Sequence, residues 1–262
     1  MKSKINLRLC IAGSETLLPL FKECLKSYLK YFEIGELFIY TSDNLISEVD
    51  EITKGKADEV TIFDIDEFYE ANHSKFSDNI NDVLNSAKNK EFKEGLSFFY
   101  LRMRLIMDYY LINGKKPFIV SDIDIIILDN IKPIVDWIGS DYLLYNASPN
   151  DFARYNQIIT EKVGGKDFFK KVPQFNCGWM CIPKGVVIDI NKACKYMKYE
   201  IETPLAEETA IWVVLTKDNI KTKLLSRDLM MIGEPNLKNR TLCHFQPYGI
   251  SLETLKEWGV LK

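Results

Sequence analysis

In residues 118–127, which read Phe-Ile-Val-Ser-Asp-Ile-Asp-Ile-Ile-Ile, two carboxylates lie within an otherwise apolar run. Both flanks are too apolar for a surface loop, so we predict one long buried strand over residues 118–128. Because side chains alternate between the two faces of a strand, Asp122 and Asp124 should point the same way. Two like charges held together away from water repel unless a cation pairs with them. The stretch therefore predicts a site for a hard divalent ion, Mg2+ or Mn2+, which binds carboxylate oxygens.

A second Asp-x-Asp pattern occurs earlier, in Phe63-Asp64-Ile65-Asp66-Glu67. It follows a short predicted strand and leads into polar, acidic sequence, so we interpret it as a strand end that turns toward solvent. For Asp122 and Asp124 the alternative to a metal site is an ion pair with a nearby lysine or arginine.

Strands and helices alternate along the chain. A strand over residues 5–12, a helix that Ser14 caps and Gly35 ends, and a strand over residues 37–40 form a βαβ unit, which implies parallel strands. Residues 70–95 are polar and predict mobile loop or helix. Further strands are predicted at 60–63, 142–145, 174–182 and 223–226, and helices at 97–112 and 207–215. The alternation predicts one three-layer α/β domain with ligands at the carboxyl ends of its strands.

Composition excludes several classes of protein. The 262 residues are 47% hydrophobic and carry a net charge of −3, so no basic surface indicates binding of nucleic acid. No uncharged run approaches the roughly 20 residues that span a bilayer, and the amino terminus does not resemble a signal peptide. We therefore expect a cytoplasmic protein without a transmembrane segment. The six cysteines are predicted to be buried free thiols, because Cys177 and Cys181 lie roughly 13 Å apart along a strand.

Four motifs occur in an order that is typical of one enzyme class. A helix containing arginines precedes the strand that ends in Ser-Asp-Ile-Asp. The later motifs are Gln174-Phe175-Asn176-Cys177-Gly178-Trp179-Met180, Glu207-Glu208-Thr209-Ala210 and Cys243-His244-Phe245. Together they resemble glycosyltransferases of the GT-A fold, most of all the family-eight kind, which are retaining enzymes with an Asp-x-Asp motif. The resemblance covers most of residues 5–250.

The resemblance implies a three-layer, Rossmann-like GT-A fold in a single domain, 1–262, with a mixed central sheet. Residues 1–128 would form the nucleotide-binding half and residues 129–262 the half for donor sugar and acceptor. The implied reaction moves a sugar from a nucleotide-sugar, linked to UDP or GDP, to a hydroxyl acceptor such as a glycan. The implied cofactor is Mn2+ or Mg2+. The sequence leaves the oligomeric state open.

Several site residues follow from the resemblance. His244 would join Asp122 and Asp124 as a metal ligand; the alternative is a buried core histidine. The donor nucleotide would contact the end of the first strand and the metal motif, through Ala12, Gly13, Ser14, Ser121 and Asp122. For the first three of these residues, simple turn chemistry is the alternative.

One of two arginines would also contact the donor. Arg102 and Arg104 point about 200° apart on a helix, so only one is expected to face the site. Arg104 fits the family spacing better. Its alternative is an ion pair with Asp108, four residues later on the same helix.

The catalytic residues implied by the resemblance are Asn176, Glu207 and Glu208. Asn176 would bind sugar hydroxyls beside Gly178, which lets a ligand or a backbone approach closely; the alternative is a bulge with a self-satisfied asparagine. For one of Glu207 and Glu208 the alternative to a catalytic role is a structural one, because the helix dipole favours acidic residues at the start of any helix. Two features depart from the family pattern, the Glu-Glu pair in place of Asp-Gln and the sequence Gln246-Pro247-Tyr248-Gly249 after His244.

Three rival functions fit parts of the sequence. A phosphatase of the haloacid dehalogenase type also places Asp-x-Asp after a buried strand, but near the amino terminus and followed by glycine or threonine. A nucleotidyltransferase would need a glycine-rich basic loop after the first strand, which the sequence lacks. A non-catalytic, sugar-binding GT-A-like module would share the motifs without turnover.

We expect no phosphate release from p-nitrophenyl phosphate, because Asp122 lies mid-chain and isoleucines follow Asp124. A colorimetric assay with Mg2+ measures this. Rapid cleavage that is lost in Asp122→Asn would instead support the phosphatase.

Overall fold

The computed structural model describes residues 2–88, 90–93, 96–112, 114–147, 156–164, 175–200, 204–226, 229–231, 240–244 and 252–257. The first half of the chain contains β1 (Ser3–Ile11), α1 (Leu18–Tyr31), β2 (Phe32–Thr41), α2 (Ile46–Thr53), β3 (Glu59–Asp64), α3 (Ile65–Asn72), α4 (Asp78–Ala87), β4 (Glu91–Lys93), β5 (Leu96–Ser97), α5 (Phe98–Leu111), β6 (Phe118–Asp122) and β7 (Ile125–Ile127). The second half contains α6 (Lys132–Trp137), β8 (Leu143–Ala147), α7 (Gln157–Val163), β9 (Phe175–Ile182), α8 (Ile190–Met197), α9 (Pro204–Lys217), β10 (Thr222–Leu224), β11 (Met230–Met231), β12 (Leu242–His244) and α10 (Leu252–Glu257).

A seven-stranded sheet runs through the middle of the molecule in the order β10-β8-β9-β6-β1-β2-β3. β1 pairs in parallel with β2 and β6, and β2 pairs in parallel with β3. β9 is antiparallel to both of its neighbours, β6 and β8. The sheet is therefore mixed, as the family resemblance implied, and the carboxyl ends of β1, β2, β3 and β6 lie at one edge.

The first βαβ unit forms as predicted, except for the role of Gly35. A 3-10 turn, Glu15–Leu17, which Ser14 caps, precedes α1. The helix ends at Tyr31 and β2 begins at Phe32, so Gly35 lies inside a strand and the predicted helix end was wrong. The pairing of β1 with β2 shifts register next to this glycine. A side chain there would approach Asn6 Oδ1 to 3.0 Å, so the glycine serves close packing of two strands.

The predicted strand over residues 118–128 is divided into two strands that belong to different sheets. β6 ends at Asp122, Ile123 and Asp124 form a turn, and β7 begins at Ile125. β7 pairs with β12 in a three-stranded sheet, β11-β12-β7. The prediction that Asp122 and Asp124 share one face of a continuous strand was therefore wrong. The apolar sequence predicted correctly that the segment is buried. Where the first strand ends and the second begins is determined by the neighbouring strands with which each one pairs.

Residues 70–95, predicted as loop or helix, are largely helical where the structure describes them. Asp64, from the second Asp-x-Asp pattern, caps α3 by accepting hydrogen bonds from the amides of Asp66 and Glu67. This motif therefore ends a strand and begins a helix, which agrees with its interpretation as a turn toward solvent.

Buried side chains cover both faces of the central sheet. Ile119 of β6 packs in one cluster with α1, while Phe118 and Val120 pack in the other with α5 and α9. Neighbouring residues of one strand thus enter opposite clusters, which gives the three layers that the sequence predicted. Trp179 of β9 is fully buried on the α1 side, where its indole Nε1 donates to Tyr28 Oη at 3.0 Å.

All six cysteines are free thiols, and five of them are buried. The prediction of buried free thiols is therefore confirmed for five of the six, while Cys10 is only partly buried. Within the described residues, no helix combines the length and the apolar character that crossing a membrane requires.

We expect Tyr28→Phe to lower the free energy of unfolding by about 0.5–1.5 kcal/mol, because the buried hydrogen bond from Trp179 Nε1 to Tyr28 Oη is lost. Urea melts of both proteins measure the change. Tyr199→Phe serves as the control, since Tyr199 is 42% exposed and should shift stability by less than about 0.5 kcal/mol. An unchanged melt for Tyr28→Phe would show that the hydrogen bond contributes nothing.

Candidate active site

Asp122 lies at the carboxyl end of β6, beside Cys10 at the corresponding end of β1. Its side chain is 27% exposed, so one side of the carboxylate meets the open end of the sheet. Burial raises the pKa of the Asp122 carboxyl above its ordinary value, Arg104 counteracts this, and the charge of Asp124 raises the pKa further. The two acids are therefore close enough to repel each other, although Asp122 ends a strand and Asp124 lies in the turn that follows it.

Arg104 joins Asp122 to helix α9. Its guanidinium donates to Asp122 Oδ1 from one nitrogen and to Glu207 Oε1, at 2.6 Å, from the other. The alternative that the sequence left open for Asp122, an ion pair with a nearby arginine, is thus present in the structure. The alternative for Arg104, a pair with Asp108, is not, because Asp108 binds Arg8 instead.

Glu207 is the centre of a buried ion cluster. Arg102 donates to its Oε2, Arg104 to its Oε1, and the Cys177 thiol lies 2.9 Å from Oε1. The expectation that only one arginine would reach the site was wrong, because long side chains that leave α5 in different directions converge on one carboxylate. Although burial raises the pKa of Glu207, the two arginines lower it more, so its pKa lies below the ordinary value.

Glu208 lies next to this cluster and binds Asn176. The Asn176 amide donates to Glu208 Oε1 at 3.0 Å, and its oxygen accepts from the Gly178 amide at 2.8 Å. Burial and the neighbouring Glu207 charge raise the pKa of Glu208 to about 8, against a smaller opposing effect of Arg104. Glu208 is therefore mostly protonated at neutral pH.

Gly178 allows the strands to meet at this point. A side chain at this position would come within 2.9 Å of both Asp122 Oδ2 and Asn176 Oδ1. The close approach that the sequence predicted for a glycine here is confirmed, and its partners are the two site side chains themselves.

The residues at the end of β1 adopt a turn. Gly13 has a φ of 95°, a conformation that favours glycine, and its amide donates to Ser42 Oγ at 3.0 Å. Ala12 is buried, and Ser14 caps the following turn. Ser121 is fully buried, and its hydroxyl donates to the Asp122 carbonyl. Donor contacts of these four residues stay predictions.

His244 reaches the metal motif through strand pairing. β12 runs antiparallel to β7, and His244 is the register partner of Ile125, the residue after Asp124. The fold thus brings together two positions 120 residues apart in sequence. The side chain of His244 lies outside the described part of the structure, and within that part no three His, Cys, Asp or Glu side chains form a metal-binding group.

Arg8 escaped the sequence analysis, and Asp108 was considered there only as a partner of Arg104. Arg8 and Asp108 form a buried pair behind Arg104, with Nε–Oδ1 and Nη2–Oδ2 distances of 2.9 and 2.6 Å. A charged residue within an apolar central strand was the available signal for Arg8, because such a charge needs a buried partner.

Solved structures match almost the whole chain. The galactosyltransferase LgtC, in complex with donor and acceptor sugar analogues, has a TM-score of 0.61 and 12% identity, with 98% of this chain and 96% of that chain covered. Mouse xyloside xylosyltransferase 1 in its apo form gives 0.57 and 11%, with 94% and 98% covered. Apo glycosyltransferase GlyE of Streptococcus pneumoniae gives 0.52 and 13%, with 100% and 61% covered.

No family model matches the chain, and no curated protein does. The structural matches include family-eight glycosyltransferases and confirm the predicted GT-A fold. At these identities the likeness concerns the fold.

We expect stability to fall by several kcal/mol, at most about 5, between pH 4.5 and about 8 through Glu208 alone, because each pH unit between the two pKa values contributes about 1.4 kcal/mol. The folded protein keeps a proton there that the unfolded chain releases above pH 4.5, so the free energy of unfolding decreases until the folded pKa is passed. Glu208→Gln should remove this part of the pH dependence in denaturant melts. Glu51→Gln, at an exposed position, is the control, and an identical pH dependence in Glu208→Gln and wild type would contradict the assignment.

Proposed function

We propose that this protein is a metal-dependent glycosyltransferase that moves a sugar from a nucleotide-sugar to a hydroxyl acceptor. The observation that carries the proposal is the cluster of Asp122, Arg104, Glu207, Asn176 and Glu208 at one end of a GT-A sheet. A buried charge cluster is costly unless it is fully paired, and perturbed acids gathered at a ligand-binding edge are typical of functional sites. Five residues from four separate elements meet there.

Asp122, Asp124 and His244 would hold Mn2+ or Mg2+. The donor set fits such an ion, since two carboxylates that repel each other supply hard oxygen ligands and strand pairing brings the histidine backbone alongside. When bound, the ion neutralises charge on the diphosphate as the sugar–phosphate bond breaks.

A cation of the protein itself, Arg104, would stabilise the same negative charge on the diphosphate. Arg104 lies against Asp122 and is held from behind by Glu207, so it is preorganised beside the metal motif. A diphosphate leaving group gains negative charge as its bond to the anomeric carbon breaks, and a fixed guanidinium stabilises it. The acceptor oxygen forms the new bond to that carbon as the bond to the diphosphate breaks, and its proton is released to the solvent together with the nucleoside diphosphate.

Glu208 and Asn176 would bind the donor sugar. The family resemblance places Glu208 where an amide is commoner, and a glutamic acid that keeps its proton likewise offers a hydrogen-bond donor beside a carbonyl acceptor, with one O–H in place of the two N–H groups of an amide. Its raised pKa, about 8, supports this neutral role at physiological pH. Asn176 orients it through the 3.0 Å hydrogen bond.

The nucleotide, UDP or GDP, would bind at the end of β1, where Gly13 turns the chain and Ser42 holds its amide. A glycan or another hydroxyl compound would be the acceptor. We also propose a cytoplasmic location, which the six free thiols support.

The ion pair between Arg104 and Asp122 favours one second candidate, a non-catalytic module that binds sugars. In such a module the arginine would permanently neutralise the acid. Slow hydrolysis of the donor by water distinguishes the two, because a transferase catalyses it and a binding module does not.

We expect Mn2+-dependent release of nucleoside diphosphate from one member of a nucleotide-sugar panel. Asp122→Asn and Asp124→Asn should each reduce it at least about 100-fold, because each removes a ligand charge and little volume. Asp66→Asn is the matched control from the second Asp-x-Asp pattern and should retain activity. Full activity in chelator, or near-normal activity in both site variants, would refute the metal site.

We expect His244→Ala to weaken Mn2+ binding in a calorimetric titration, with little change in the melt of the metal-free protein. If His244 ligates the ion it must be neutral, so wild-type affinity should fall as pH drops through about 6.5. A core histidine gives the opposite result, a melt lowered by about 1–3 kcal/mol with unchanged affinity.

A further inference from the structure

Arg8 occupies an unusual place for a charged residue. It lies in the middle of β1, a central strand, and is 1% exposed. Its neighbours on the strand, Leu7 and Leu9, are fully buried core residues. A buried cation destabilises a fold unless its partners are well aligned, so its contacts indicate what it does.

The guanidinium of Arg8 has three sets of contacts. It binds both oxygens of Asp108, at 2.9 and 2.6 Å. It donates to the carbonyl of Ser121, the residue before Asp122, at 3.4 Å. Its carbon lies 5.6 Å from the centre of the Tyr40 ring. Arg8 therefore occupies both carboxylate oxygens of Asp108 with a planar fork that lysine lacks.

Asp108 and Arg104 stand four residues apart on α5, the spacing at which opposite charges on a helix meet. They are already electrostatic neighbours, since Arg104 contributes to lowering the pKa of Asp108 against the dominant effect of burial. Arg104 nevertheless binds Asp122 and Glu207. Without Arg8, the buried Asp108 carboxylate would be uncompensated, and Arg104 would be the cation on its own helix able to reach it.

We propose that Arg8 is a positioning residue of the candidate active site: by binding both oxygens of Asp108, it keeps Arg104 directed at Asp122 and Glu207. The functional part of this inference deepens the proposed function and depends on it. The structural part, the direction of the Arg104 side chain, does not.

Two single variants separate positioning from simple stabilisation. Arg8→Met and Asp108→Asn break the same ion pair, and both should lower the melting temperature. Only Arg8→Met leaves a carboxylate beside Arg104. In its crystal structure we expect Arg104 to bind Asp108, whereas in Asp108→Asn it should remain on Asp122 and Glu207. The double variant Arg8→Met/Asp108→Asn has no competing acid and should restore the wild-type direction.

The effect of a displaced Arg104 on the metal site is measured with Mn2+ alone. Once Arg104 leaves Asp122, one positive charge no longer opposes the ion, so calorimetry should show Mn2+ binding to Arg8→Met at least about fivefold tighter than to wild type. Asp108→Asn and the double variant should stay within about twofold of wild type. Arg8→Met also removes a positive charge that acts on Asp122 directly, so Arg8→Lys, which keeps that charge, is the deciding variant: it should still bind Mn2+ more tightly than wild type if Arg104 moves to Asp108, and wild-type affinity in Arg8→Lys would overturn the proposal.

The remaining outcomes are also decisive. Arg104 on Asp122 and Glu207 in the Arg8→Met structure would contradict the inference. If Arg8→Met does not fold, Arg8→Lys takes its place, because lysine keeps the charge but leaves one Asp108 oxygen for Arg104; an unmoved Arg104 there refutes the inference equally. If wild type binds no Mn2+, the metal proposal fails, and the crystal structures alone decide the role of Arg8.

Discussion

The double ion pair of Arg104 links the parts of this site. It connects α5, which carries the arginine, to the end of β6 through Asp122 and to the start of α9 through Glu207. Each of these elements has its own place in the apolar layers, and within the described residues this guanidinium contacts the polar ends of both β6 and α9. The planar guanidinium holds its two terminal nitrogens in fixed directions, so each can donate to a different carboxylate. A lysine, with a single nitrogen, cannot reproduce this geometry.

The charged side chains around Arg104 influence the protonation of the acids beside it. Among the described residues, the buried cations Arg8, Arg102 and Arg104 face the buried anions Asp108 and Glu207 and the partly exposed Asp122. Burial is the main reason for the raised pKa of Glu208, and the negative charge of Glu207 raises it further, because ionised Glu208 would place a second anion beside Glu207. Asp124 adds negative charge at the more open end, where the repulsion with Asp122 favours a divalent ion.

The sequence predicted the fold correctly where the local pattern of apolar and polar residues agrees with the strand pairing of the folded protein. Ser97 and the apolar run after it predicted α5, and the helix begins at Phe98 with Ser97 as its cap. The prediction failed where pairing overrides pattern. Residues 118–128 are uniformly apolar around two acids, yet β6 pairs with β1 and β9 while β7 pairs with β12, so the chain must break between them. Periodicity along one segment carries no information about which strands border it.

Short-range patterns in the sequence predicted the layered α/β fold, the edge at which the acids lie, and most of the side chains that meet there, with Arg8 as the exception. Apolar periodicity and motif order encode these, because burial and local propensity act over short stretches of chain. Only the tertiary structure decided which acid binds which arginine. The sequence allowed Arg104 to pair with Asp108 on its own helix, but Arg8, 100 positions from Asp108, takes that partner. Buried charges choose partners by proximity in space and by desolvation, and neither quantity exists until the strands and helices have packed together.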